Sequence, residues 1–125
     1  MVHKLLCLAL AGALGTLARY GLSGLVQRSS GASFPWGTLA VNVLGCFLVG
    51  ATWALVENRV SISGEARAIV LVGFMGAFTT FSAFILETGE LVREAQWGWA
   101  AGNVLLQNGL GIGVFFLGMA LGRLI

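Results

Sequence analysis

The chain has 125 residues, 58% of them hydrophobic and only 10% charged, with a formal net charge of +2. A soluble domain carries about a quarter charged residues, and a chain this short lacks the interior to hide so much apolar surface. A water-soluble fold is excluded, the small charge gives no reason to expect a nucleic-acid partner, and lipid is the solvent that remains.

A helix needs roughly 20 apolar residues to cross a bilayer, and four segments qualify. The first runs from Leu5 to Val26. It opens like a signal peptide, "MVHKLLCLALAGALG", but three more spans follow, so we expect an uncleaved first helix. The second runs from Trp36 to Val56. The third is apolar from Ala66 to Leu86 and extends to Val92. The fourth covers Trp97 to Leu124. The linkers "QRSSGASFP", "ENRVSISGE" and "ETGELVREAQ" are short and polar, so residues 1–125 read as one all-α bundle with no soluble part. Cys7 and Cys46 lie inside apolar segments without a CxxC spacing, and His3 is the one histidine. These residues offer no zinc-type ligand set and are expected to act as small apolar side chains.

Cytoplasmic loops usually hold the excess of Lys and Arg. With four spans, Lys4, Arg59, Arg67 and Arg123 share one side, against Arg19, Arg28 and Arg93 on the other. The near balance suits either a chain with few charges or one that inserts both ways and pairs with an inverted copy. The 19 glycines fall mostly in the spans, where small residues let helix backbones approach. Gly118 and Gly122 form such a pair one turn apart.

Polar side chains inside the spans carry more information. Thr38 and Asn42 share one face of the second helix, and Asn103, Gln107 and Gly111 share one face of the fourth. A single buried amide is most simply interhelical glue. Two amide-bearing stripes on different helices suggest a wetted path. Arg19 lies near the far end of the first span, where it either snorkels to the interface or forms a cationic vestibule for anions. Glu87 sits at the end of the third span, where it either pairs with Arg19 or faces water, and no acid lies deeper.

The third span contains "GFMGAFTTFSAF", residues 73–84. Gly73 and Gly76 weaken a helix, and Thr79 and Thr80 have low propensity. A break around Gly76 to Thr80 is expected. Such a break frees carbonyls at one half-helix end, which suit a hard cation, and amides at the other, which suit an anion. Phe81 and Phe84 follow on one face. Such a pair ordinarily packs in a core or against lipid, but ring edges are electropositive and could meet a small anion.

At these motifs the chain resembles the Fluc/CrcB family of small microbial fluoride channels. The likeness rests on "GTLARY", "WGTLAVNVLG" and "GFMGAFTTFSAFILET" and extends over essentially the whole chain. It implies an antiparallel, dual-topology homodimer in the inner membrane of a prokaryote, with two fluoride pores at the subunit interface. It implies a structural sodium ion at the dimer centre, held by the carbonyls of Gly76 and Thr79 from both copies and not transported. It implies pore roles for Asn42, Phe81 and Phe84, hydroxyls from Thr80 and Ser82, a carboxylate at Glu87 and an arginine at Arg19. Thr38, Asn103 and Gln107 complete the expected polar path. The chain departs from the family pattern at Ala77, where relatives often have a second glycine, and along the fourth-helix track, where Gly111 has no side chain to offer.

Two other readings compete. A small multidrug exporter is also a short four-helix dimer but depends on a glutamate in its first helix, where this chain has Arg19; binding of lipophilic cations would decide for it. A scaffold subunit would explain the glycines but has no need of the broken helix. No nucleophile–base pair or cofactor fingerprint points to an enzyme, and without a phosphate-binding loop transport would be passive.

Overall fold

A computed structural model describes residues 1–31, 33–58 and 62–124. Arg59, counted in the charge balance above, lies outside the described residues. Helix α1 spans Val2–Ser30 and α2 spans Trp36–Asn58. The next helical stretch, residues 64–78, is labelled α3. It begins as α-helix over Gly64–Ala68, widens to a π-helix over Ile69–Met75 and returns to α over Gly76–Phe78. After two extended residues the chain continues as α4, Phe81–Arg93, and then α5, Trp97–Leu124. Taking α3 and α4 together as residues 64–93, four helical segments are long and apolar enough to cross a membrane. The first span is longer than its apolar core suggested, because polar first and last turns continue the helix.

Contacts fix the directions. His3 of α1 stands 3.6 Å from Glu65 at the start of α3, and further along Gly73 packs on Ala11 and Leu8 of α1. These two helices therefore run parallel. Asn42 of α2 meets Gln107 of α5, and Gly50 of α2 meets Phe115, so α2 and α5 also run parallel. They run opposite to the first pair, because each successive span reverses direction.

The α2–α5 seam is tight. A Cβ added at Gly50 would overlap the Phe115 carbonyl, one at Gly118 would overlap the Phe47 carbonyl, and one at Gly122 would press on the Ala51 carbonyl. In lipid no hydrophobic drive holds helices together, so this backbone-to-backbone approach is the source of cohesion. The small-residue pair at Gly118 and Gly122 serves this seam.

The linkers are pinned by side chains. Gln27 donates to the carbonyls of Gly31 (2.8 Å) and Phe34 (3.0 Å) and accepts from the Gly37 amide (3.0 Å), tying the end of α1 to the start of α2. Phe34, nearly fully buried, packs its ring at a tilt against both Trp36 and Trp99. At the opposite end the Arg67 guanidinium sits 4.2 Å over the Trp53 ring.

Replacing Gly118 with Leu forces α2 and α5 apart. Thermal unfolding in detergent should show a loss of about 1–3 kcal/mol, as overpacking costs elsewhere. Gly98→Ala, at a position with open space around it, should leave the melting temperature unchanged.

Candidate functional site

The interruption between α3 and α4 consists of Thr79 (φ −87°, ψ 159°) and Thr80 (φ −150°, ψ 112°). The expected break is present, but it is confined to the two threonines. Gly76 keeps ordinary right-handed helical geometry (φ −63°, ψ −32°). The physical cause lies on another helix. Asn42 of α2 grips the Thr80 peptide from both sides: its Oδ1 accepts from the Thr80 amide at 2.8 Å, and its Nδ2 donates to the Thr80 carbonyl at 3.0 Å. The carboxamide thereby replaces the helix ladder at that residue. Thr80 then caps α4, its hydroxyl accepting from the Ala83 amide at 3.2 Å.

These two diversions leave carbonyls without their usual donors. In a continuous α-helix the Thr80 amide would bond the Gly76 carbonyl, and the Ala83 amide would bond the Thr79 carbonyl. Here the first goes to Asn42 and the second to the Thr80 hydroxyl. Gly76 is exposed on the surface of the chain. The first-turn amides of Phe81 and Ser82 have no intrahelical acceptor either, so carbonyls and amides face out from opposite sides of one short gap.

The remaining N–H of Asn42 donates to Gln107 Oε1 at 3.0 Å. Because Asn42 is oriented by the backbone, this bond orients Gln107 as well and leaves its Nε2 as a buried donor without a partner. Gln107 lines a cavity of about 290 Å³ together with Asn42, Cys46, Thr80, Phe81 and Phe84. Phe81 and Phe84 meet edge to face, 5.4 Å between centroids. Phe84 is buried, whereas Phe81 is 72% exposed. Ser82 is exposed, 3.3 Å from the Thr80 hydroxyl.

One turn away, towards the Trp36 and Trp97 ends, Thr38 donates to Glu87 Oε1 at 2.6 Å. Both line a second cavity of about 410 Å³, as do Gln27, Glu90 and Glu94. Glu87 thus lies two turns inside the end of α4 and bonds Thr38. Arg19 is half-buried and lines neither cavity. Asn103 is completely buried and donates to the Thr88 hydroxyl at 2.9 Å.

The structure therefore brings together Thr38 with Glu87, and Asn42 with Thr80, Gln107, Phe81 and Phe84. It keeps Arg19 apart from them. Two residues escaped the sequence reading. Cys46, read as an apolar filler, lines the cavity one turn beyond Asn42, with its sulfur beside Gly111 of α5. Thr88 links Asn103 to the Phe84 carbonyl; its spacing of one turn from Phe84, itself one turn from Thr80, was the available signal.

Comparison with known sequences is decisive for family. Residues 6–119 match the family model described as CrcB-like protein, Camphor Resistance (CrcB). The chain belongs to the CrcB family. Family relatives named fluoride-specific ion channel FluC include one from Desulforapulum autotrophicum, 61% identical, and one from Nitrosococcus oceani, 57% identical. Both alignments cover all of this chain and all of the relative. Another relative of that name, from Nitratidesulfovibrio vulgaris, is 50% identical over 99% of this chain and 100% of its own. Membership of this family and four apolar spans make the chain a multi-pass membrane protein.

Replacing Asn42 with Ala removes all three bonds made by the carboxamide. Each is worth about 1 kcal/mol, and more where a buried partner is left bare. Hydrogen exchange on the purified protein should show the Thr80 amide exchanging at least about tenfold faster than in the unmodified chain.

Proposed function

We propose that this CrcB-family chain is a fluoride-selective channel that lets cytoplasmic fluoride leave the cell passively and so limits fluoride toxicity. The observation that carries the reading is the cavity at the helix break, which Asn42, Thr80, Phe81, Phe84 and Gln107 line and no carboxylate does, with the Gln107 amide keeping an N–H without a partner. Fluoride is small and strongly hydrated, and a path for it must replace lost water with hydrogen-bond donors. An amide N–H, hydroxyls and electropositive ring edges supply them. The names of the full-length relatives support the same cargo.

In this reading Asn42 acts chiefly by aiming other groups. Both its N–H bonds are committed, one to Thr80 and one to Gln107. It holds Gln107 with Nε2 free and keeps the α4 amino terminus open towards the anion. Thr38, Thr80, Ser82 and Asn103 extend the polar path on either side, and Arg19 draws anions to the protein from a distance. The exposed Phe81 ring and the exposed Gly76 backbone suit cover by a second, inverted copy in the inner membrane, giving two pores per dimer. The donorless carbonyls of Gly76 and Thr79 fit a hard cation. Two from each copy would hold a structural sodium ion, which supplies a fixed positive charge at the dimer centre.

The test is fluoride release from liposomes holding the purified protein, read with a fluoride electrode. Gln107→Glu keeps the size of the side chain but replaces the donor with an acceptor and adds negative charge. Fluoride release should fall by about 10- to 150-fold, the scale of losing one charge-assisted bond, about 1.5–3 kcal/mol. Unchanged release from this variant would remove Gln107 from the path. Replacing Phe81 with Ile should slow release as well, with the fold intact by gel filtration.

A further inference from the structure

Asn103 is the most deeply buried polar side chain among the described residues, at 0% exposure. It lies on the same face of α5 as Gln107, one turn nearer Trp97. Because α2 and α5 run parallel, that turn is level with Thr38 and Glu87. Asn103 lines neither cavity, but it lies level with Thr38 and Glu87 of the first and one turn from Gln107 of the second.

Its hydrogen bonds are lopsided. Nδ2 donates to Thr88 Oγ1 at 2.9 Å, and the Thr88 hydroxyl donates in turn to the Phe84 carbonyl at 2.7 Å. Oδ1 is buried with no partner. A bare acceptor at this level opposes an anion. The opposite amide orientation would present N–H donors instead, provided that Oδ1 then finds a donor. A threonine hydroxyl is both donor and acceptor and rotates freely between the roles. By turning its proton from the Phe84 carbonyl to Asn103 Oδ1, Thr88 would satisfy the reversed amide. A bond from an N–H to an anion is roughly twice as strong as a neutral one, so an arriving anion would favour the exchange.

We infer that Thr88 is a positioning residue whose hydroxyl lets the Asn103 amide turn its donors towards an anion passing between the two cavities. The inference rests on the fluoride-channel reading above. Thr88 itself need not touch the ion; it acts through Asn103.

The experiment is fluoride release from liposomes containing the full chain, for the unmodified protein and for Thr88→Val, Thr88→Ser, Asn103→Leu and the Thr88→Val/Asn103→Leu double variant. Valine keeps the shape of threonine but can neither accept nor donate, and release should fall at least about tenfold. Serine keeps the hydroxyl, and release should stay within about twofold of the unmodified protein. The double variant should be no slower than Asn103→Leu alone, since residues acting as one unit are not additive. Thr88→Ala substitutes for the valine variant if the latter is not monodisperse. Normal release by Thr88→Val, loss in Thr88→Ser equal to that in Thr88→Val, or additive losses in the double variant would each overturn the inference while leaving the channel intact. No fluoride release from the unmodified protein would overturn the channel reading, and the role of Thr88 with it.

Discussion

The two hydrogen bonds between the Asn42 carboxamide and the Thr80 peptide are the constraint on which the rest of the site depends. In a lipid-facing bundle every backbone polar group must find a partner within the protein or in a wetted cavity. A helix cannot simply stop at mid-span. Asn42 makes the stop tolerable by offering one acceptor and one donor in the place of the missing helical bonds. Everything else at the break follows from that substitution. Thr80 is freed to cap α4, Gly76 and Thr79 lose the donors to their carbonyls, and the second N–H of Asn42 fixes the direction of Gln107.

The packing of α2 serves this arrangement. Glycines on both sides of the α2–α5 seam bring the two backbones into contact, which sets Asn42 within reach of Gln107. Gly45, one turn from Val41 and next to the break, leaves space for the Thr79 methyl group, which a Cβ there would overlap. The same helix thus holds one neighbour by backbone contact and the other by an amide clamp. The consequence is a polar centre assembled from three separate helices and enclosed by apolar side chains. Asn42, Thr80 and Gln107 are held by one another before any ion arrives, so an anion at the break would meet groups that need little rearrangement.

Much of this was legible in the sequence, and the reasons differ by element. Four apolar runs of bilayer length specify four spans because length and hydropathy are local properties. The ends of the first were less legible: α1 runs from Val2 to Ser30, because polar residues extend a helix without an apolar signature. The break was expected from glycine and threonine propensity, but propensity pointed to Gly76 as well. Gly76 stays helical because the decisive partner, Asn42, is distant in sequence and takes the bond at Thr80. The two amide stripes predicted from spacing do meet, at Asn42 and Gln107. The union of Thr38 with Glu87 and of Asn103 with Thr88 was not legible, since the faces that meet depend on helix rotation. The π-helical stretch over Ile69–Met75 left no signal in the sequence that we can identify.

The central claim is that donors fixed around this break pass fluoride and refuse a larger anion. It is tested most directly by measuring fluoride and chloride release side by side from liposomes made with one preparation of the purified protein. The account predicts rapid fluoride release while chloride is retained. Equal release of both anions, or release of neither from a well-folded protein, would contradict it.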